Sequence, residues 1–291
     1  MTLSGGIDSL AGQRIWSESV YADCVSPDGL SGMMLRLCRY PNQQTSWLWA
    51  FLFLPGKIFG FNDHYLPCPD EVSPVESPDT VYDHLNENDE AVFQRLGSRD
   101  APDGARVFIR LKAHELAKTA APHGPGDRPL RIEAALKPGH APWRPNRYRS
   151  EWVGPVEASV WLNGLPFELR GLGHWHEQHQ KAPRWRRPFV YISLRGPELA
   201  FVGTAMESED AAFVVRSGRV TRVASIRVEP PARVRGLEVT LEDGGRLEGT
   251  ITTTHEYLVP IYAAQRPGTL VTARLGGHDL SGCVNDWTPG P

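Results

Sequence analysis

Apolar and polar positions alternate with a period of two along most of the chain, in short runs closed by turn residues. From Ala105 to Leu111, Val107, Ile109 and Leu111 face one way, and Arg106, Phe108 and Arg110 the other. From Trp47 to Leu54, Trp47, Trp49, Phe51 and Phe53 alternate with Leu48, Ala50, Leu52 and Leu54, so both faces are apolar and one is aromatic. That pattern fits a strand covered on both sides, as plain core or as the wall of an apolar cavity. Further strands are expected at Ile15–Cys24, Gly32–Tyr40, Lys57–Phe61, Leu130–Leu136, Val156–Leu162 and Phe167–Leu172. The second half adds Phe189–Leu194, Leu199–Met206, Ala212–Arg216, Arg219–Val228, Val234–Leu241, Arg246–Thr254 and Thr269–Leu275. Ser26-Pro27-Asp28-Gly29, Pro41-Asn42 and Asp243-Gly244-Gly245 are turn signals between them. Helical periodicity is scarce: Leu111–Ala121 is either a short helix or the continuation of a strand. The pattern predicts an all-β, antiparallel protein of roughly 15 to 18 short strands, better divided into two barrels or sandwiches than closed as one oversized barrel. Cys68–Asp79 and Thr119–Arg149 read as loops, the second as a candidate flap over a site.

Composition sharpens this. With 28 Gly and 25 Pro, long helices are excluded. The net charge of -3 comes from 31 basic and 34 acidic residues, with no basic block beyond Arg184, Arg186 and Arg187, so no nucleic-acid partner is expected. The first residues carry neither the basic nor the apolar region of a signal peptide, and Trp47–Leu54 falls far short of the roughly 20 residues that span a bilayer. A cytoplasmic protein with no integral membrane segment is the expectation. Cys24, Cys38, Cys68 and Cys283 form no C-x-x-C pair, so they read as reduced and structural. No nucleophile elbow, phosphate-binding loop or strand-placed dinucleotide fingerprint is present, and no cofactor is expected. Nothing indicates the oligomeric state.

One window is dense in chemistry. Gly171–Trp185 reads GLGHWHEQHQKAPRW and holds His174, His176, His179, Glu177 and two tryptophans. Imidazoles beside a carboxylate are the material of general acid–base catalysis. On a regular strand His174, His176 and Gln178 share one face, and Trp175, Glu177 and His179 the other; a bulge at Gly171 or Gly173 would re-sort them. Two other readings stand beside the catalytic one. The cluster is a solvated rim, or His174-x-His176 is half of a metal site whose third ligand comes from Glu256, His255 or Asp286.

The same window resembles the carotenoid 1,2-hydratase (hydroxyneurosporene synthase)/AttH-like family. Trp175 takes that family's aromatic place, His176 its variable place, Glu177 its acid, and Gln178-His179 its polar pair. Glu18-Ser19-Val20-Tyr21 with Ser26-Pro27-Asp28-Gly29 is similar to the family's opening strand and turn, and Phe189-Val190-Tyr191 to its second half. The glycines sit one residue too far from the aromatic place, and Lys181-Ala182-Pro183 stands where a glycine is usual. The resemblance implies two lipocalin-like (calycin) domains, 1–180 and 181–291, with a site in the mouth of the first or between them. It implies a cofactor-free hydratase or cyclase acting on an apolar isoprenoid or polyketide-like molecule. Glu177 would be the acid–base group, its pKa raised by aromatic neighbours, with His174, His176 or His179 as relay. Trp175, Trp185, Tyr21, Trp47, Trp49 and Tyr191 would line the substrate and no metal would be held. A non-catalytic carrier and a metal enzyme using His174, His176 and His179 are the alternatives.

Overall fold

The computed structural model describes residues 16–68, 72–73, 77–117, 120–180, 187–206, 211–261 and 264–288. The first half supplies β1 (Ser17–Val25), β2 (Gly32–Tyr40), β3 (Thr45–Leu54), β4 (Lys57–Pro67), β5 (Val81–Leu85), β6 (Glu90–Gly97), β7 (Pro102–Leu116), β8 (Arg128–Leu136), β9 (Trp143–Asn146), β10 (Arg149–Leu162) and β11 (Leu165–Gln180). The second supplies β12 (Phe189–Arg195), β13 (Leu199–Ala205), β14 (Ala211–Arg216), β15 (Arg219–Val228), β16 (Val234–Leu241), β17 (Arg246–Ile261), β18 (Ala264–Leu275) and β19 (His278–Trp287). Among the described residues the only helical turn is Pro41–Gln43, and no helix is long and apolar enough to cross a membrane. The all-β reading holds, and Leu111–Leu116 continues β7 as strand.

β1 to β11 form one antiparallel sheet in the order β4-β3-β2-β1-β11-β10-β8-β7-β6-β5, with β9 added on β10. The far end of β7 returns to β4 through Ile58–Leu116, Phe59–Glu115 and Gly60–His114, which closes the sheet on itself. β12 to β19 form a closed barrel in which every strand pairs with its sequence neighbour and β19 returns to β12. Alternation dictates both interiors. Leu48, Ala50, Leu52, Val107, Ile109, Ile132, Trp152 and Trp175 fill the first, and Leu194, Phe201, Val214, Leu237, Ile251 and Val284 the second.

The other face of β3 decides how the halves meet. Trp47, Trp49, Phe51 and Phe53 pack on Phe189, Tyr257, Leu270 and Trp287 of the barrel, a third apolar cluster at the seam. Phe53 and Tyr257 approach to 5.1 Å between ring centroids. A buried ion pair between Asp23 of β1 and Arg195 of β12 fastens the same seam. His255 Nε2 and the Leu54 carbonyl oxygen lie 3.0 Å apart across it, and the Tyr257 hydroxyl donates to Asn285 Oδ1 at 2.8 Å.

One expectation needs correction, and one open point closes. Thr119–Arg149 is not a flap: much of it is β8 and β9. Its prolines are tolerated because Pro129 stands at the start of β8 and Pro145 lies in the four-residue edge strand β9. Trp143 of β9 stacks on Phe213 of the barrel at 4.8 Å, so the segment clamps the two halves together. Gly171 and Gly173 do not produce a bulge, since β11 keeps unbroken register with β1 and β10. A Cβ at Gly171 would stand 2.3 Å from the Val25 carbonyl oxygen, and one at Gly173 2.1 Å from that of Asp23. These glycines permit close approach of neighbouring backbones.

Candidate functional site

Register across the sheet builds the site. Directly paired residues point to the same face. One such row runs Glu151 (β10), His176 (β11), Tyr21 (β1), Arg36 (β2), Trp49 (β3). The next row is Val153, His174, Asp23, Met34, Phe51. Both rows face the barrel, where Tyr191 of β12, Arg266 of β18 and Asn285 of β19 meet them. Tyr21, Arg36, Trp49, His176, Tyr191 and Arg266 line a cavity of about 420 Å³ with its mouth included. A larger depression of about 1020 Å³ lies over β6, β7, β8, β10 and β11, but its lining holds no histidine.

Behind the cavity runs a buried polar chain. The Tyr191 hydroxyl and His174 Nδ1 lie 2.8 Å apart. His174 Nε2 is 2.9 Å from Glu151 Oε2, off the ring's N–H axis, and His176 Nδ1 is 3.4 Å from the same oxygen. His176 Nε2 lies 3.2 Å from Gln178 Oε1. Arg149 pairs with the other oxygen of Glu151. Burial alone would raise the pKa of Glu151, but Arg149, His176 and the imidazole contacts hold it well below the usual carboxylate range. An ionised Glu151 only accepts, which places the His174 proton on Nε2 and leaves Nδ1 to accept from Tyr191. Burial, then Cys283, Glu151 and Asp23, pushes the Tyr191 phenol well above its ordinary pKa, so the phenol keeps its proton at neutral pH.

Asp23 braces this arrangement from below. One of its oxygens accepts from Arg195 and, at 2.8 Å, from the backbone N–H of His174; the other accepts from the Tyr21 hydroxyl at 2.8 Å.

The opposite face of β11 points into the interior of the sheet. Glu177 Oε1 accepts from Arg95 Nε and Trp175 Nε1, each at 2.9 Å; Oε2 accepts from the Tyr82 hydroxyl at 3.5 Å and lies 3.9 Å from Arg99 Nε. Trp175 stacks on Trp152 at 6.1 Å. His179 sits between Trp16 and Tyr82, and burial, reinforced by Arg99 and Arg95, drives its pKa well below 6.5.

The structure thus divides the sequence candidates. His176, Tyr21, Trp49 and Tyr191 come together at the cavity, and His174 stands directly behind Tyr191. Trp47 lies beside it, stacked on His64 at 4.3 Å. Glu177, Trp175 and His179 belong to the sheet interior, and Trp185, Arg184 and Arg186 lie outside the described residues. The third partner of the histidine pair is Glu151; Glu256, His255 and Asp286 are not members of this group. Glu151 lies in the first half of β10, where Arg149, Gly154 and Pro155 disguise a strand as loop. Alternation of Arg149, Glu151 and Val153 against Ser150 and Trp152 was the signal that could have found it. Ligand atoms of Glu151, His174 and His176 lie within 4.8 Å of one another. Two imidazoles and a carboxylate are a donor set that suits a divalent transition metal.

The model of the family described as a domain of unknown function, DUF7064, matches residues 9–287. No curated protein sequence matches the chain. Among solved structures, CghA in complex with Sch210972 is similar with a TM-score of 0.65 at 10% identity, over 95% of this chain and 89% of that one. AttH from Nitrosomonas europaea gives 0.58 at 14% identity, over 94% and 92%. Kievitone hydratase from Nectria haematococca gives 0.56 at 8% identity, over 94% and 89%. At such identities the likeness shows a shared fold, the AttH-like lipocalin-like architecture that the Trp175–His179 segment pointed to.

Proposed function

The chain belongs to the DUF7064 family, and from that premise, with the fold and the seam cavity in hand, we propose that it is a hydratase- or cyclase-type enzyme working by acid–base chemistry on a small, largely apolar molecule. The observation that carries this reading is the line Tyr191–His174–Glu151, which ends at the cavity beside His176. Kievitone hydratase and the small-molecule complex of CghA support the class of reaction and of ligand.

The roles follow from the geometry. Tyr191, kept protonated, donates its proton to an unsaturated or carbonyl carbon–oxygen system in the cavity. His174 holds the phenol through Nδ1, its Nε2–H kept toward Glu151, and the phenolate left by the transfer recovers a proton across the cavity from His176 once that imidazole has taken one up. His176 faces the same space and takes the proton from an attacking water or from the substrate itself. Water capture gives hydration; capture by an internal group gives cyclisation. Tyr21 offers an aromatic face to developing positive charge, whereas the Trp49 ring already carries the Arg36 and Arg266 guanidiniums. Glu177, expected from the sequence to be the acid, serves instead to neutralise Arg95 and Arg99 inside the sheet.

Incubation of the protein with isoprenoid and polyketide-like alkenes, followed by mass spectrometry, tests the class. A hydratase adds the mass of one water, and a cyclase gives an isomer of unchanged mass. Tyr191→Phe should lower turnover about a hundredfold with the fold intact. Binding without product, or full turnover by Tyr191→Phe, would overturn the reading in favour of a carrier or of another acid.

A second reading is favoured by one observation. His174 Nε2 approaches Glu151 Oε2 at 2.9 Å off the N–H axis, as two ligands of one shared ion would. On this reading Glu151, His174 and His176 hold a divalent metal that polarises the substrate. Elemental analysis of protein purified without a histidine tag separates the two: a full equivalent of zinc, lost in His174→Ala, supports the metal.

A further inference from the structure

We propose that Asn285 grips a carbonyl oxygen of the ligand beside Tyr191, so that the substrate of the seam cavity is a carbonyl compound and not a plain hydrocarbon alkene. The inference rests on the seam cavity being the substrate site and goes further by naming the group that the substrate must carry.

Strand register places the grip. One row across the barrel runs Tyr257 (β17), Gly268 (β18), Asn285 (β19) and Tyr191 (β12). Val284 and Ile192 fill the barrel interior, so the neighbouring Asn285 and Tyr191 project outward to the seam, where both line the cavity. As a directly paired couple, Asn285 and Tyr191 start about 5 Å apart at Cβ. Gly268 lies between Tyr257 and Asn285, and its missing side chain lets them meet. A Cβ there would stand 2.3 Å from Tyr257 Cζ and 2.6 Å from Asn285 Oδ1. Tyr257 therefore reaches across a whole strand, and its hydroxyl donates to Asn285 Oδ1 at 2.8 Å.

That bond fixes which end of the carboxamide a ligand meets. Burial, then Cys283, holds the Tyr257 phenol well above its ordinary pKa, so the hydroxyl keeps its proton. Met34 Sδ lies 3.3 Å from the same hydroxyl, but a thioether is a weak acceptor, and the proton goes to the amide oxygen. With Oδ1 turned toward Tyr257, the planar group turns Nδ2 the other way along the row, toward Tyr191 and the cavity. Among the described residues nothing hydrogen-bonds that nitrogen, although Asn285 is only 1% exposed. A buried N–H without a partner is costly, and an acceptor entering the cavity removes the cost. Nδ2 only donates, so the incoming group must accept. A carbonyl oxygen does so through two lone pairs, one for the Asn285 amide and one left facing Tyr191. The oxygen that Asn285 holds is thus set beside the proton donor.

Isothermal titration of the full chain tests the proposal with three ligands: benzylideneacetone, the alcohol formed by reducing its carbonyl, and the alkene of the same carbon skeleton. The ketone should bind at least about tenfold more tightly than either of the others. Asn285→Asp keeps the shape and the bond from Tyr257 but turns an acceptor to the ligand, and should abolish that preference. Tyr257→Phe releases the carboxamide to turn and should lose part of it. The infrared stretch of an isotope-labelled carbonyl should fall in frequency on binding to the native protein and fall less in Asn285→Asp, a shift that a merely structural change does not mimic. Near-UV circular dichroism shows which variants are folded. If Asn285→Asp is not, a full preference kept by Tyr257→Phe, or an unshifted carbonyl in the native protein, counts against the grip, and the opposite results support it. Absence of saturable ketone binding, equal affinity for ketone and alkene or for ketone and alcohol, or a preference that folded Asn285→Asp retains would overturn it. Because binding is read without turnover, such a result leaves the Tyr191 chemistry standing, and a turnover-competent Tyr191→Phe leaves the grip standing.

Discussion

The two faces of β11 carry nearly the same inventory and put it to different ends. Each has a carboxylate, histidine, arginine and an aromatic hydroxyl, all buried. On the interior face, Glu177 meets Arg95, Arg99, Trp175 and Tyr82, which occupy both of its oxygens. On the seam face, Glu151 meets Arg149, His174 and His176, and through His174 its influence reaches a phenol at a cavity. A buried charge saturated by fixed partners holds a fold in one arrangement. A buried charge that ends a line of titratable groups opening on a cavity can move a proton. Composition does not separate the two faces; connection to a cavity does.

The largest expected effect would break the comparison at its interior end. Glu177→Leu strands two guanidiniums inside the sheet and should lower stability by about 3–5 kcal/mol in chemical denaturation. If the variant instead keeps its denaturation midpoint and loses turnover, Glu177 is the catalytic acid and the assignment of the two faces is reversed. At the seam end, Glu151→Gln should cut turnover about a hundredfold, roughly 2.7 kcal/mol of transition-state stabilisation, in steady-state kinetics on any substrate found. Turnover within a few-fold of the native enzyme would remove Glu151 from the proton path.

Acid should weaken both faces. His64 and His179 have pKa values depressed in the fold, so below about pH 6.5 the unfolded chain binds protons that the native one refuses. Stability is therefore fully present above that pH and falls as pH drops. For His64, with a folded value of about 4, the loss should reach about 2 kcal/mol by pH 5. Glu151, depressed from 4.5, adds to the loss only at lower pH. Urea midpoints between pH 7 and pH 5 measure the slope, and His64→Asn should flatten it; an unchanged slope would show that His64 is protonated in the fold. The smallest effect sharpens the seam further. Gln178→Met removes the contact that orients His176 and should cost only a few-fold in turnover, with stability nearly unchanged.

Much of the fold was legible from alternation and turn residues. Gly32–Tyr40, Arg219–Val228 and Val234–Leu241 were delimited to the residue, because each ends at a strong turn signal or against another strand. The strands that escaped notice break the apolar rhythm for physical reasons. β6 carries Arg95 at an inward position, where Glu177, the Thr80 hydroxyl and the carbonyl oxygens of Ser77 and Gly97 make it tolerable. β9 is short and contains Pro145, and β19 has a single β-branched residue, Val284, among polar and small ones. The same disguise hid Glu151 within a stretch rich in Arg, Gly and Pro. Alternation sorted the histidine window correctly into two faces, but which face meets a cavity depends on pairing with β1 and on the docking of the barrel. No local pattern encodes either.

The order of the strands has a consequence for how the molecule is made. β1 pairs on one side with β2, which follows it directly in the chain, and on the other with β11, the last strand of its sheet. Until β11 is synthesised, β1 presents an open edge, and Tyr21 and Asp23 have no histidines beside them. The barrel repeats the delay, since β12 waits for β19, which brings Asn285 to the cavity. A nascent chain therefore assembles the cavity only once β19 has been synthesised, and a product truncated before β19 would lack Asn285 there.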